Sequence, residues 1–439
     1  MSLIIRNATI VTMNDALDIQ SGDVLVHDGR IAAVGQLDAA ARADKVINAG
    51  GSFLLPGFVQ THVHLCQTLF RGYADDLALL EWLKQRVWPM EAAHTPSSLA
   101  AAARLAAAEL LLGGTTSVLT METVHDTEAV FGALETFGLR AAIGKCMMDG
   151  DPAVPPRLFE PTKHSIDESV RLASQWHGKA NGRLMAALAP RFAPTCTREL
   201  LEAVGEISKT RGLLVHTHAS ENRDEIALVR ALTGQQNIAY LNSIGLTSRR
   251  LCVAHCVWVD ESEQDLLAAH EVKVLHCPGS NLKLASGVAP VAEMRRRGIC
   301  VSLGADGAAC NNQLDMFAEM RLASGLQAIR AGVGTLSAAD VLRMATREGA
   351  RALGLEAELG SIEVGKRADL ILIDRDRPNL SIAPDPVSAI VYAARPSDVR
   401  TTIVDGQIIV DDFKLVAQDV SEIAATARAE AEALARRAF

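Results

Sequence analysis

No basic run occurs anywhere in this 439-residue sequence, and its formal net charge is −9. Nucleic acid is therefore not an expected partner, because phosphate backbones are held by clustered Lys and Arg. Mild acidity names no substrate of its own and serves solubility. No stretch reaches the ~18 uninterrupted apolar residues of a membrane helix, so no membrane partner is expected. The start, Met1-Ser2-Leu3-Ile4-Ile5-Arg6, lacks a basic n-region and a long apolar h-region, which argues against a signal peptide. Eight cysteines are scattered, none in Cys-x-x-Cys spacing. Most sit in apolar runs, as buried free thiols do, and a chain of this length needs no disulfide staples. A cytoplasmic location fits. No internal repeat and no low-complexity linker interrupts the sequence.

What is present is a large apolar fraction, 49% of residues, enough for a sizeable core. The length exceeds a typical domain of roughly 100–200 residues, though large barrels run as one unit of about 250. One large and one small domain are expected. Residues 3–12 are β-branched. Residues 23–35 read as strand, Asp28-Gly29 turn, strand, which is a hairpin signal. The pattern returns near the other end: a strand at 368–373, then 399–404 running through Asp405-Gly406 into 407–410. Both ends together make one small β unit. Residues 419–439, rich in Ala, Glu and Arg, read as a terminal helix. Between these ends the strands 53–61, 115–121, 140–148, 184–190, 213–218, 251–255, 272–276 and 299–305 alternate with helical stretches. The helices are read at 96–112, 126–137, 165–176, 197–210, 222–233, 260–269, 289–297 and 315–330. Eight such alternations predict an α/β fold, a (β/α)8 TIM barrel.

Active sites of such barrels lie at the strand C-terminal ends. The first strand closes in His62 and His64, and the fifth in His216 and His218. The sixth closes in His255, the seventh in His276 and the eighth in Asp306. Residues i and i+2 of a strand point to one side, so each His-x-His can offer two imidazoles to one ion. Any single strand-end His is ordinarily just a hydrogen-bonded histidine. Five of eight strands ending in His or Asp point to metal, and the imidazole–carboxylate mix suits zinc or iron. Glu221, three residues after His218, reads either as an acid at a helix start or as a general acid/base beside the metal.

The motifs Pro56-Gly57-Phe58-Val59-Gln60-Thr61-His62-Val63-His64, Gly113-Gly114-Thr115-Thr116-Ser117, His216-Thr217-His218-Ala219-Ser220-Glu221, Ala254-His255-Cys256, His276 through Leu284, Gly304-Ala305-Asp306-Gly307 and Gly360 through Leu370 resemble the amidohydrolase superfamily. The resemblance spans about residues 3–415 and implies a metal-dependent barrel flanked by a β-sandwich from both chain ends. The domains expected are 1–56 plus 362–415 for the sandwich, 57–361 for the barrel and 416–439 for the terminal helix. The chain looks like the deaminase branch. Binuclear members carry a bridging lysine at the end of the fourth strand; 184–191 here has none, which favours one divalent ion, zinc or else iron. The resemblance places His62, His64, His218 and Asp306 on that ion. It makes Glu221 and His255 the proton-handling pair, with Asp306 sharing the water's proton.

Gln67, the segment 69–76 and Val87-Trp88-Pro89-Met90-Glu91 resemble the methylthioadenosine/S-adenosylhomocysteine and 5′-deoxyadenosine deaminases, where the glutamate matching Glu91 binds ribose hydroxyls. Arg191 departs from them: adenosine-type members often have histidine there. With Ser220 through Glu225 it looks more like guanine deaminases. The resemblance thus implies a hydrolytic deaminase of an aminated N-heterocycle, an adenosine-type nucleoside first. The alternatives are a guanine or 8-oxoguanine base, and an s-triazine losing amine or chloride. A non-catalytic scaffold is the remote rival. Substrate contacts are expected from Gln67, Glu91, Trp88, Arg191 and His276. The partner is a small aminated heterocycle, and a homo-oligomer is the expected assembly.

Overall fold

The computed structural model describes residues 2–150 and 154–439. Eight parallel strands form the barrel: Phe58–His64, Thr115–Met121, Arg140–Met147, Leu184–Pro190, Leu214–Ala219, Leu251–His255, Lys273–His276 and Cys300–Leu303. Each pairs with its sequence neighbour, and a two-residue strand, Asp306–Gly307, closes the ring by pairing with Val63 and His64. Nearly every residue of these strands is buried. Parallel strands covered on both faces read as continuous apolar runs rather than alternations.

The run expected as one strand over 53–61 is two. Phe53–Pro56 belongs to the small sheet, where it pairs antiparallel with Leu370–Ile373, and the barrel begins at Phe58. Gly57 is the crossing point, with its N–H donating to the Asp369 carbonyl. The small sheet takes Ser2–Val11, Ile19–His27, Arg30–Gly35, Lys45–Asn48 and Phe53–Pro56 from one end of the chain. From the other come Leu370–Ile373, Val399–Val404, Gln407–Asp411 and Lys414–Leu415. It bends until its first hairpin touches the far side, where Ile31 N donates to Lys366 O at 2.8 Å and Ala368 N to Gly29 O at 2.8 Å. Both Asp-Gly hairpins form. Asp28, Gly29, Asp405 and Gly406 all have positive φ, as a two-residue turn matching the strand twist demands.

Helices cover the barrel close to the expected places. Boundaries move where caps decide them. Thr95 caps Pro96–Leu112 with a capping box to Ser98, and Asp315 caps Met316–Ala331. The stretch read from 165 begins at Thr162, directly after Pro161. After the first barrel strand comes an excursion that bears on the site: Leu65–Phe70, Leu79–Trp82, a π-turn at Leu83–Val87, and Trp88–Ala92. Pro89 has no N–H to bond the Gln85 carbonyl and its ring crowds it, so the helix widens there. The terminal helix, Val420–Ala438, packs on Pro96–Leu112 and on this excursion. No helix among the described residues is long and apolar enough to cross a membrane.

A buried ion pair ties barrel to sheet. Arg140, at the start of the third barrel strand, donates Nε to Asp369 Oδ2 at 2.8 Å and Nη2 to Oδ1 at 3.0 Å. Asp369 Oδ1 also accepts Asp405 N–H at 2.7 Å. Removing one partner strands the other charge in a dry interior, at a cost of about 3–5 kcal/mol. Arg140→Leu is expected to lower the midpoint of thermal unfolding by several degrees. Lys163→Ala, which breaks an exposed pair with Asp167, should leave it unchanged. Equal midpoints for the two variants would refute the tie.

Candidate active site

The strand ends converge at one mouth. Gly304 lets the eighth strand lie against the first: a Cβ there would meet His62 N at 2.7 Å and His62 O at 2.6 Å. That approach brings Asp306 over the His62–His64 strand end. Ser220, His255 and Asp306 follow or end their strands with φ of 56°, 74° and 64°. Non-glycine residues held in the left-handed region cluster where a side chain must be aimed at a site.

Three imidazoles present the same face. His64 Nδ1 donates to Met121 O at 2.7 Å, and His218 Nδ1 to Arg191 O at 2.7 Å. His62 Nδ1 bonds His216 Nε2 at 2.6 Å. Each ring therefore has its Nδ1 side engaged by the protein and its Nε2 free to face the centre, as in metal-ligating histidines. His218 Nε2 and His64 Nε2 lie 3.3 Å apart, and His62 Nε2 is buried without a hydrogen-bond partner among the described residues. Asp306 Oδ1 stands 3.3 Å from His62 Nε2 and 3.2 Å from His64 Nε2. Candidate ligand atoms of His62, His64 and His218, and of His62, His255 and Asp306, fall within 4.8 Å of one another in each trio. Converging lone pairs and one carboxylate fit a divalent cation such as zinc.

Burial holds the His62 imidazole down to about 4 and, with the neighbouring rings, pushes His218 well below the usual range. Both shifts favour the neutral imidazole, the form that ligation requires. His64 is also opposed by burial, but the hydrogen bond and charge of Asp306 outweigh it and raise its pKa. Burial would raise the Asp306 carboxyl; the facing His62 and His64 overcome this and hold it well below the carboxylate range. His216 touches the His62 ring from behind.

Glu221 and His255 stand beside this group. Glu221 Oε2 lies 3.4 Å from His255 Nε2, and Asp306 Oδ2 lies 3.8 Å from the same nitrogen. Burial raises the Glu221 carboxyl above its ordinary value. Two residues that sequence reasoning passed over touch the pair. Glu225 accepts the Glu221 N–H at 3.0 Å and bonds the Asn237 amide; burial and the Glu221 charge push it up to about 8. Asn281 Oδ1 lies 2.9 Å from His255 Nδ1. Glu225 stood in the quoted stretch after Ser220, and Asn281 in the quoted motif after His276, but nothing in either spacing marked a partner.

The pocket above the metal group has a polar floor and an apolar wall. Gln67, Arg191, Glu221, Glu225, His255 and Asp306 line the floor with His64 and His218; Leu79, Trp82, Leu83, Phe192 and Leu284 line the wall. Glu91 and Arg191, read separately in sequence, are partners. Arg191 Nη1 donates to Glu91 Oε2 at 2.6 Å and Nη2 to Oε1 at 3.3 Å, while Gln67 Nε2 donates to Oε1 at 2.9 Å. Glu91 sits behind Gln67 and Arg191 and is 2% exposed. Of the expected substrate contacts, Gln67 and Arg191 line the pocket, whereas Glu91, Trp88 and His276 are buried and do not; Trp82, from the same excursion as Trp88, does. The π-turn between the two tryptophans turns Trp82 to the mouth and Trp88 into the packing beneath.

Comparison with known proteins agrees with this geometry. Residues 53–409 match the model of the amidohydrolase family. The chain is 39% identical over 440 residues to a 5′-deoxyadenosine deaminase of Methanosarcina acetivorans, covering 99% of both chains. It is 40% identical over 442 residues to a 5-methylthioadenosine/S-adenosylhomocysteine deaminase of Symbiobacterium thermophilum, again covering 99% of both. Among solved structures, an adenosine deaminase from Xanthomonas campestris with bound zinc superposes with a TM-score of 0.93 at 33% identity, covering 99% of this chain and 98% of that one. The chain therefore belongs to the amidohydrolase family.

Proposed function

We propose that this protein is a metal-dependent hydrolytic deaminase of an adenosine-type nucleoside, with 5′-deoxyadenosine, 5′-methylthioadenosine and S-adenosylhomocysteine as first candidates. The observation that carries the reaction class is the placing of Glu221, His255 and Asp306 around three ligand-ready imidazoles in one pocket. The names of the full-length relatives support the substrate.

In this reading His62, His64, His218 and Asp306 hold one zinc or iron ion. When bound, the ion supplies Lewis acidity that makes water a nucleophile near neutral pH. His255 Nε2 and the ionised Asp306 are placed to take the proton that water gives up as it attacks the amine-bearing ring carbon. Glu221 is favoured in its neutral form by burial, so it can donate a proton to the ring nitrogen. The proton then passes to the amine, which leaves as ammonia. The apolar wall of Leu79, Trp82, Leu83, Phe192 and Leu284 packs on the purine and the 5′ substituent.

The ribose would meet the polar edge formed by Gln67, Glu91 and Arg191. A vicinal diol offers two O–H donors. Glu91 Oε1 already receives Gln67 and Arg191, but Oε2 receives only Arg191, and Gln67 Oε1 has no partner among the described residues. Both oxygens are buried, so the Gln67 side chain would have to shift for the diol to reach them. The guanine reading relied on the Arg191 fork meeting a purine carbonyl; here that fork is engaged by Glu91.

Four outcomes are expected. Purified protein should carry one zinc or iron per chain by elemental analysis. Glu221→Gln should keep that ion while losing roughly 10²–10⁴-fold in kcat, the usual contribution of a general acid/base. Near-normal turnover would return Glu221 to a helix-start role, and two ions per chain would overturn the ligand set. In an ammonia-release comparison, 5′-deoxyadenosine should react far better than adenine or guanine. Glu91→Ala should lower its kcat/KM by roughly 10-fold or more, as loss of a charge-assisted hydrogen bond does. Guanine as best substrate, untouched by Glu91→Ala, would refute the nucleoside assignment.

A further inference from the structure

The motif running from His276 to Leu284 enters the reaction described above only through Leu284 in the pocket wall, yet it also delivers a polar atom to the outer side of His255. Asn281 lies on the short helix Pro278–Lys283 and is 1% exposed. Its Oδ1 is 2.9 Å from His255 Nδ1. The same loop reaches the other half of the pair, where Ser286 Oγ is 3.5 Å from Glu221 Oε1. The loop is itself fixed. Ser286 N donates to Asn281 O at 2.8 Å, and Trp258 Nε1 to Ser286 O at 2.7 Å. Glu319, buried on the helix Met316–Ala331, accepts Gly279 N–H at 2.9 Å and the Asn311 amide at 2.8 Å; that amide also donates to Ala305 O, next to Asp306.

We propose that Asn281 is a positioning residue for His255, accepting its Nδ1–H and thereby fixing the ring as the tautomer whose bare Nε2 faces Glu221 and Asp306. An amide oxygen only accepts, so the contact places the imidazole proton on Nδ1. His255 needs this outside help because its backbone is left-handed and its ring sits in a buried mouth, where the hydrogen bond found for Nδ1 among the described residues is the one to Asn281. A ring protonated at Nε2 instead would point a donor at two carboxylates and could not take a proton from water. The inference rests on the deaminase reading for its kinetic consequence, but the tautomer is a property of the resting protein and is read without substrate.

The test uses nitrogen-15 histidine-labelled full-length protein and two variants. In the native protein the His255 ring should show a slowly exchanging Nδ1–H proton and an unprotonated Nε2. Asn281→Leu, which keeps the shape and removes the acceptor, should lose that proton signal. It should also lower kcat by about 10–100-fold with KM changed less than about 3-fold and metal content unchanged, as expected when a proton-accepting group is misaligned but substrate binding is not. Asn281→Asp keeps an acceptor and should retain the signal and recover most of kcat; it serves alone if the leucine variant does not fold. An Nε2-protonated His255 in the native protein, a signal that survives Asn281→Leu, or its loss in Asn281→Asp would overturn the proposal. If all substrates failed while the signals behaved as expected, the deaminase reading would fall and the positioning role would stand.

Discussion

His62, His64 and His218 each turn an Nε2, and Asp306 a carboxylate oxygen, towards one buried point, a donor set that suits a divalent cation. His62, His64 and His218 each spend the other side of the ring on a protein partner, so their Nε2 lone pairs converge by construction. The barrel closes where it does because Gly304 admits the eighth strand against His62, and Asp306 then reaches the same point from the two-residue strand that completes the ring. Closure of the fold and assembly of the donor set are one event. Glu221, His255 and the left-handed turns that aim His255 and Asp306 are arranged around it.

Much of this was legible from residues alone because the period of a strand is two and the alternation of elements was unbroken. His-x-His at two strand ends and an Asp at a third fix a mouth without any knowledge of distances. His218 rather than His216, the choice implied by the spacing to Glu221, shares a cluster of candidate ligand atoms with His62 and His64; His216 stands behind His62. Less was readable where partners are distant in sequence. Glu91 and Arg191, a hundred residues apart, carried competing substrate arguments and turn out to be one ion pair. Trp88 is the substrate contact that the sequence suggests, but the π-turn at Leu83–Val87 breaks the helical period, so spacing does not tell which tryptophan faces the mouth. The run 53–61 is uniformly apolar because both of its halves are buried, which hides the crossing at Gly57.

The pocket wall depends on parts of the chain far from the chemistry. Trp82, Leu83 and Trp88 share a packed cluster with Ala427 and Leu434 of the terminal helix. Arg437 Nε donates to Ala93 O at 2.9 Å, and the Arg86 guanidinium stands 5.3 Å from the Phe439 ring centroid. The excursion that carries Glu91 and the apolar wall is thus clamped from outside by the last residues of the sequence. The small sheet plays the corresponding part at the other end of the barrel through Arg140 and Asp369. Rigid supports on both sides let a loop-built mouth hold catalytic groups at fixed distances.

The central claim is that water replaces a ring amine at this site while the nucleoside otherwise stays whole. It is tested most directly by turning over 5′-deoxyadenosine in oxygen-18 water and weighing the product. The account predicts one ammonia and one heavy oxygen on the purine ring for each molecule converted, with the bond to ribose intact. Free adenine, or a product that gains no heavy oxygen, would contradict it.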